Sequence, residues 1–161
     1  ILITNSEEIG RSVAVEIKKQ TDVLERKGII EKSLINYGKI ILVKDLEEAL
    51  ALSNEIAPEH LELCVEKPFE LLDKVENAGA IFLGHYAPEP LGDYLAGPNH
   101  ILPTSGTARF YSPLSVEDFM KKSSVIYYSE KALEKVKNEV MIMAETEGLT
   151  AHKNSIKVRF E

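Results

Sequence analysis

The sequence predicts an α/β fold, a parallel sheet with helices on its faces followed by a small, mainly helical C-terminal extension. Three observations carry that expectation. Short apolar runs alternate with stretches that repeat at the helical period, the pattern of βαβ units. Those runs are continuous rather than alternating, as in strands covered on both faces. After Pro113 the alternation gives way to more helical sequence. The domains therefore read as residues 1–113, the α/β part, and residues 114–161, the extension.

Each element follows in order. Ile1–Thr4 is a short strand, and Asn5 or Ser6 caps a helix. Ile9, Val13, Ile17 and Leu24 then make one apolar stripe to about Glu25. Lys27–Asn36 is a second helical segment, ended by Gly38. Lys39–Lys44 is a β-branched run that reads as a strand buried on both sides. Asp45 with Glu48 forms a capping box, and Leu46, Ala49, Leu50, Ser53 and Ile56 mark the face of the next helix. Pro58 closes it. Leu61–Val65 is a strand, Phe69–Glu76 a short helix and Ala80–Gly84 another buried strand. In the extension, Ser115–Lys122 reads as helix and Ser124–Tyr128 as strand. Ser129–Ala144 is a clear helix with Leu133, Val136, Val140 and Met143 on one side. Gly148 breaks it, and Thr150 caps a last short helix. The extension is too small to hold a core of its own, so it should pack on this chain's body or on a second subunit.

Bulk composition narrows the function. At 161 residues, 44% hydrophobic and 28% charged, this is an ordinary globular chain. A net charge of −7 without a basic block leaves no footprint for nucleic acid. No apolar run approaches the ~20 residues of a membrane span, so no membrane partner is expected. Cys64 is the lone cysteine, which makes a reducing, cytoplasmic setting the default. The apolar opening Ile1–Thr4 without methionine suggests part of a longer protein.

In open parallel sheets ligands sit beyond the carboxyl ends of strands. Two polar stretches lie just after helix or strand ends and draw attention: Ala57–His60 and His85–Thr107. The second contains Gly92–Thr107, where three glycines and two prolines in sixteen residues punctuate a set of reactive side chains. We read it as a shaped site loop carrying Asp93, Tyr94, Asn99 and His100. Glu59-His60, beside Pro58, is either a pair of proton-transfer groups or a polar helix end. Asp93 and His100 suit Zn²⁺, but two ligands fall short of the about four a zinc site needs. Equally, Asp93 could cap a turn and His100 satisfy a carbonyl. Glu147 and His152 flank the Gly148 break and could be aimed outward together. His85, without an acidic neighbour, reads as surface. No Gly-x-Gly-x-x-Gly follows a predicted strand, and no Gly-x-Ser-x-Gly elbow is present.

Four stretches together resemble the C-terminal part of histidinol dehydrogenases: Ala57–Leu63, Ala78–Gly84, Gly92–Thr107 and Glu147–His152. They lie in order over nearly the whole chain. The resemblance implies an incomplete Rossmann-like sheet and a two-step, NAD-dependent oxidation of L-histidinol to L-histidine through the aldehyde, the end of histidine biosynthesis. It implies Glu59 and His60 as the acid/base pair, with His60 taking the alcohol proton and Glu59 activating water on the aldehyde. Asp93 and His152 would be zinc ligands facing the substrate, and His100 and Glu147 substrate contacts. It further implies an intertwined homodimer with a shared site and the extension reaching into its partner. Family members are much longer, with most NAD contacts and the other zinc ligands in the portion preceding the position of Ile1. With two ligands of about four, this chain alone should hold zinc weakly and be catalytically incomplete. Two other functions fit the residues less well: a stand-alone metal-dependent hydrolase using Glu59 as base, and a non-catalytic α/β interaction module.

Overall fold

A computed structural model describes all residues, Ile1–Glu161. The chain divides into two compact units, Ile1–Phe119 and Met120–Glu161. No helix is long and apolar enough to cross a membrane.

The first unit is α/β, as expected. It runs β1 (Leu2–Thr4), α1 (Glu7–Thr21), α2 (Lys27–Tyr37), β2 (Ile40–Leu42), α3 (Leu46–Ile56), β3 (His60–Leu63), α4 (Phe69–Leu72), β4 (Ala80–Leu83) and α5 (Glu89–Tyr94). Two 3-10 turns follow, Thr107–Arg109 and Val116–Phe119. The strands form two separate parallel pairs. Leu2 stands opposite Ile40 in one, and His60 opposite Ala80 in the other.

Local chemistry sets most boundaries. The Ser6 hydroxyl accepts the Ile9 N–H at 3.3 Å and starts α1. Glu7 and Glu8 at its start and Lys18 and Lys19 at its end oppose the helix dipole. At the other end Asp22 turns back its N–H onto Lys18 and Gln20, so α1 stops at Thr21 and leaves Leu24 outside the stripe. A shifted form of the capping box is present: Asp45 Oδ1 accepts the Glu48 N–H at 2.8 Å, while Glu48 Oε2 accepts the N–H of Lys44, one residue before the cap, at 2.9 Å. The buried apolar side chains of this unit include Val43, Leu50, Leu63 and Phe82, and Ala57 is completely enclosed.

Several expectations need correction. β2 is shorter than Lys39–Lys44, and Ile40 and Leu42 are exposed. One strand, β1, pairs with it and α1 packs against it, which leaves much of its surface uncovered. The helix expected over Phe69–Glu76 is helical only to Leu72; the N–H groups of Lys74 and Val75 then reach back three residues in tighter turns. Of Ser115–Lys122 only a 3-10 turn forms. The Leu114 N–H donates to Ile101 O at 3.0 Å, so the residues just past Pro113 remain with the first unit.

The second unit is α6 (Glu130–Thr146) and α7 (Thr150–Lys157), packed on each other. Ser129 caps α6 by accepting the Ala132 N–H at 3.2 Å. Ser124–Tyr128 is not a strand, and Val125, Ile126 and Tyr127 are exposed. Its β-branched composition favours a sheet only where neighbouring strands supply partners, and none pairs with it here. Thr150 is the first residue of α7 rather than its cap; Leu149 precedes it without a side-chain bond.

Candidate active site

The site is built where α3 hands over to β3. Ala57 ends α3 in the left-handed conformation (φ 51°), completely buried. That conformation costs roughly 1–2 kcal/mol for a residue with a Cβ. It turns the chain so that Pro58-Glu59-His60 enters the strand. The backbone there is clamped: Gly79 N–H donates to Pro58 O at 2.9 Å and Ala80 N–H to Glu59 O at 2.8 Å. A Cβ on Gly79 would stand 2.5 Å from Glu59 O, so the approach requires glycine.

Strand alternation puts His60 and Glu62 on one face of β3. Over that face lies α5, begun by Pro88 and Pro90. A Cβ on Gly92 would meet the Phe82 ring at 2.6 Å, so its absence lets the helix rest on Phe82. The Phe82 ring in turn flanks the His60 imidazole, with centroids 6.0 Å apart. From Glu62 towards His60, α5 runs back over the strand pair: the Glu89 N–H reaches Glu62 Oε1 at 2.8 Å, and Asp93 arrives one turn later.

The result is a compact titratable group. Glu89 Oε1 and Asp93 Oδ1 stand 3.7 and 3.8 Å from His60 Nε2. That nitrogen is buried and has no hydrogen-bond partner. Burial pushes the Glu89 carboxyl up from its usual range, and its hydrogen bond and charge interaction with Asp93 push it further, against the opposing pull of His60. Paired carboxylates and one imidazole, their ligand atoms within 4.8 Å of one another, form a donor set that suits a cation. A cavity of about 410 Å³ adjoins the group, walled by Phe82, Leu91, Gly92, Asp93, Asn99 and His100 among others.

The predicted residues thus fall into two sets. His60 and Asp93 meet, and Asp93 and His100 share a cavity wall. Glu59 is half-buried and precedes His60 in the clamped turn. Glu147 closes α6, its N–H on Met143 O at 3.1 Å, and His152 lies exposed in the first turn of α7; both belong to the second unit. His85 is exposed. The stretch read as one loop is partly helical, because Gly92, Asp93 and Tyr94 complete α5. Asn99 Oδ1 accepts the Ile101 N–H at 2.8 Å and shapes the loop that follows. His60 is the first residue of β3, at the junction with α3 where the sequence placed it, and the reversal of α5 brings Asp93 back to it. Sequence reasoning missed Glu62 and Glu89. Their signals were present: Glu62 is two residues from His60, and Glu89 is four from Asp93 behind a helix-starting Pro88.

An α/β protein with an orphaned imidazole among carboxylates, beside a ligand-sized cavity, has the makings of a small-molecule enzyme. The histidinol dehydrogenase family model matches residues 1–160. The chain belongs to that family of oxidoreductases. It is 62% identical over 160 residues to the histidinol dehydrogenase of Caldanaerobacter subterraneus subsp. tengcongensis, covering 99% of this chain and 37% of that protein. It is 62% identical over 161 residues to the Clostridium acetobutylicum histidinol dehydrogenase, again covering 37% of the relative. The crystal structure of histidinol dehydrogenase from Elizabethkingia anophelis aligns with a TM-score of 0.83 at 37% identity, over 98% of this chain and 36% of that one. The chain thus spans a little over a third of the length of the relatives it matches.

Proposed function

We propose that this chain is the acid/base-bearing portion of a zinc- and NAD-dependent dehydrogenase that oxidises L-histidinol to L-histidine through L-histidinal. One observation carries the reading: a buried, unpartnered His60 Nε2 facing two carboxylates. A nitrogen in that setting can take the alcohol proton. Glu59 is the base for water in the second oxidation. His100 and Glu147 contact substrate. Asp93 and His152 are the chain's zinc ligands, and the carboxylate of Asp93 within the donor group supports that role. Zinc, when bound, supplies a Lewis acid that holds and polarises the substrate. The hydride acceptor would be NAD, which this chain's residues are not proposed to hold.

In this reading the active species is a cytoplasmic homodimer of the full-length protein with a shared site, and the 161-residue chain alone is inactive. The test is NADH formation from L-histidinol by the full-length protein and its His60→Asn variant. A steep loss in the variant supports the assignment; unchanged turnover removes it. NADH formation by the isolated chain would remove the claim of incompleteness.

A further inference from the structure

We propose that Glu62 is a positioning residue for the chemistry assigned above: by accepting the Glu89 N–H, its carboxylate fixes α5 over β3 and sets the distance from His60 to Asp93 and Glu89. The inference rests on the dehydrogenase reading for its kinetic consequence but on geometry for its substance.

The first residue of α5, Glu89, has an N–H with no partner inside the helix. Glu62 Oε1 accepts it at 2.8 Å, across 27 residues of chain. The bond is charge-assisted, and so stronger than one between neutral groups. A six-residue helix has little stability of its own, so its place depends on what ties it down. Two devices do this here: Gly92 resting on the Phe82 ring and the Glu62 bond at the helix start. Between them they fix both ends of the interval that separates Glu89 from Asp93. Glu62 is exposed and is not one of the two carboxylates facing His60 Nε2. Its second oxygen reaches only as far as the Cys64 thiol, at 3.7 Å. Its charge also raises the Glu89 carboxyl, less than burial and Asp93 do, while its hold on the geometry runs through α5. Sharing a face of β3 with His60, it transmits the position of one strand directly to the helix opposite.

The role depends on an acceptor at the right reach and needs no negative charge. Gln supplies the same carbonyl oxygen at the same length, Asp retains charge but falls short, and Ala supplies neither. The experiment compares Glu62→Gln, Glu62→Asp and Glu62→Ala in the full-length protein, per folded and zinc-loaded site. Glu62→Ala and Glu62→Asp should lose about tenfold or more in kcat with the KM for L-histidinol moving less than about threefold, while Glu62→Gln keeps kcat within about threefold, since misplacement on the order of 1 Å costs up to about 100-fold. A purely structural role would lower the folded fraction and leave kcat per folded site intact. Amide hydrogen exchange gives a readout independent of activity: the Glu89 N–H should exchange markedly faster in the Ala and Asp variants and only slightly faster in Gln, which keeps the bond without its charge assistance.

If Glu62→Ala does not fold, the Gln and Asp variants decide. Glu62→Gln falling with Glu62→Asp intact overturns the proposal, because the charge itself would then matter. Wild-type kcat and exchange in Glu62→Ala overturn it too. His60→Asn is run alongside. Full activity there would remove the dehydrogenase reading, while the exchange pattern would still judge the clamp.

Discussion

The corner around His60 and the junction between α6 and α7 both carry residues that the family resemblance marks as functional, but they are built differently. At His60 the backbone is pressed together wherever a side chain is missing: Gly79 against Glu59 O, Gly92 against Phe82. The imidazole nitrogen is buried and left without a partner. At the junction, Glu147 simply closes a helix and His152 stands exposed in the first turn of the next. An ion pair, Lys153 with Glu145 at 2.6 Å, links the two helices there. The first corner holds its reactive group in place before any ligand arrives, with an unmet polar atom stored for it. The second holds a ligand-type residue exposed in the first turn of a short helix that has no side-chain cap.

That contrast predicts unequal consequences. Replacing His60 by Asn in the full-length protein should cost about 10²–10⁴ in kcat, the usual worth of a positioned base. Replacing His152 by Ala should instead show first as weaker zinc retention in a chelator competition. Equal effects on zinc from both variants would erase the distinction.

Next come the close approaches. Gly79→Ala drives a Cβ into a backbone oxygen that cannot yield, and Gly92→Ala into a ring that can shift only with the core. Overpacking of this kind costs roughly 1–3 kcal/mol. Gly79→Ala should lie at the upper end and Gly92→Ala below it, as measured by urea midpoints. Gly92→Ala should also lower kcat, since it lifts Asp93 away from His60. If stability falls with no loss of turnover, the resting place of α5 is unimportant to the reaction.

Cys64 offers a milder probe of the same face. Burial, and then the neighbouring Glu62 carboxylate, push its thiol above the ordinary range. A raised thiol pKa leaves less thiolate at a given pH, so alkylation near neutrality should run slower than for a free cysteine. Glu62→Gln removes the charge and should speed it up, while leaving the Glu89 clamp in place. An unchanged rate would mean that burial alone governs the thiol.

How much of this was legible in the sequence follows the range of the forces involved. The Ser6 cap and the Asp45/Glu48 box are local chemistry; the cap forms as expected, and the box forms with its return bond shifted by one residue. The α/β alternation also survives, because periodicity reports which faces are covered. What failed needed partners distant in sequence. Ser124–Tyr128 has the composition of a strand but no neighbour to pair with, and the Ile40–Leu42 strand is less covered than its β-branched run implied. At the site, the Asp93 and His60 types could be named, yet their meeting depends on α5 folding back over β3. Glu89 and Glu62 were passed over for the same reason: an exposed-looking Glu becomes significant only once the element opposite is known.

The smallest effect is the most direct test of the comparison. If the α6–α7 junction lacks the preorganisation seen at His60, the Lys153–Glu145 pair should matter little. Its two side chains are 32% and 61% exposed, so water and salt screen most of their attraction. Exposed pairs of this kind contribute about 0.2–1 kcal/mol. Lys153→Met keeps much of the apolar stem and removes the charge. Its unfolding free energy from urea titration in low salt should drop by no more than that amount, and the difference should shrink in high salt. A larger, salt-insensitive loss would mean that the pair is pinning α7, and with it His152, as firmly as Gly92 and Phe82 pin α5. The two regions would then be alike in design.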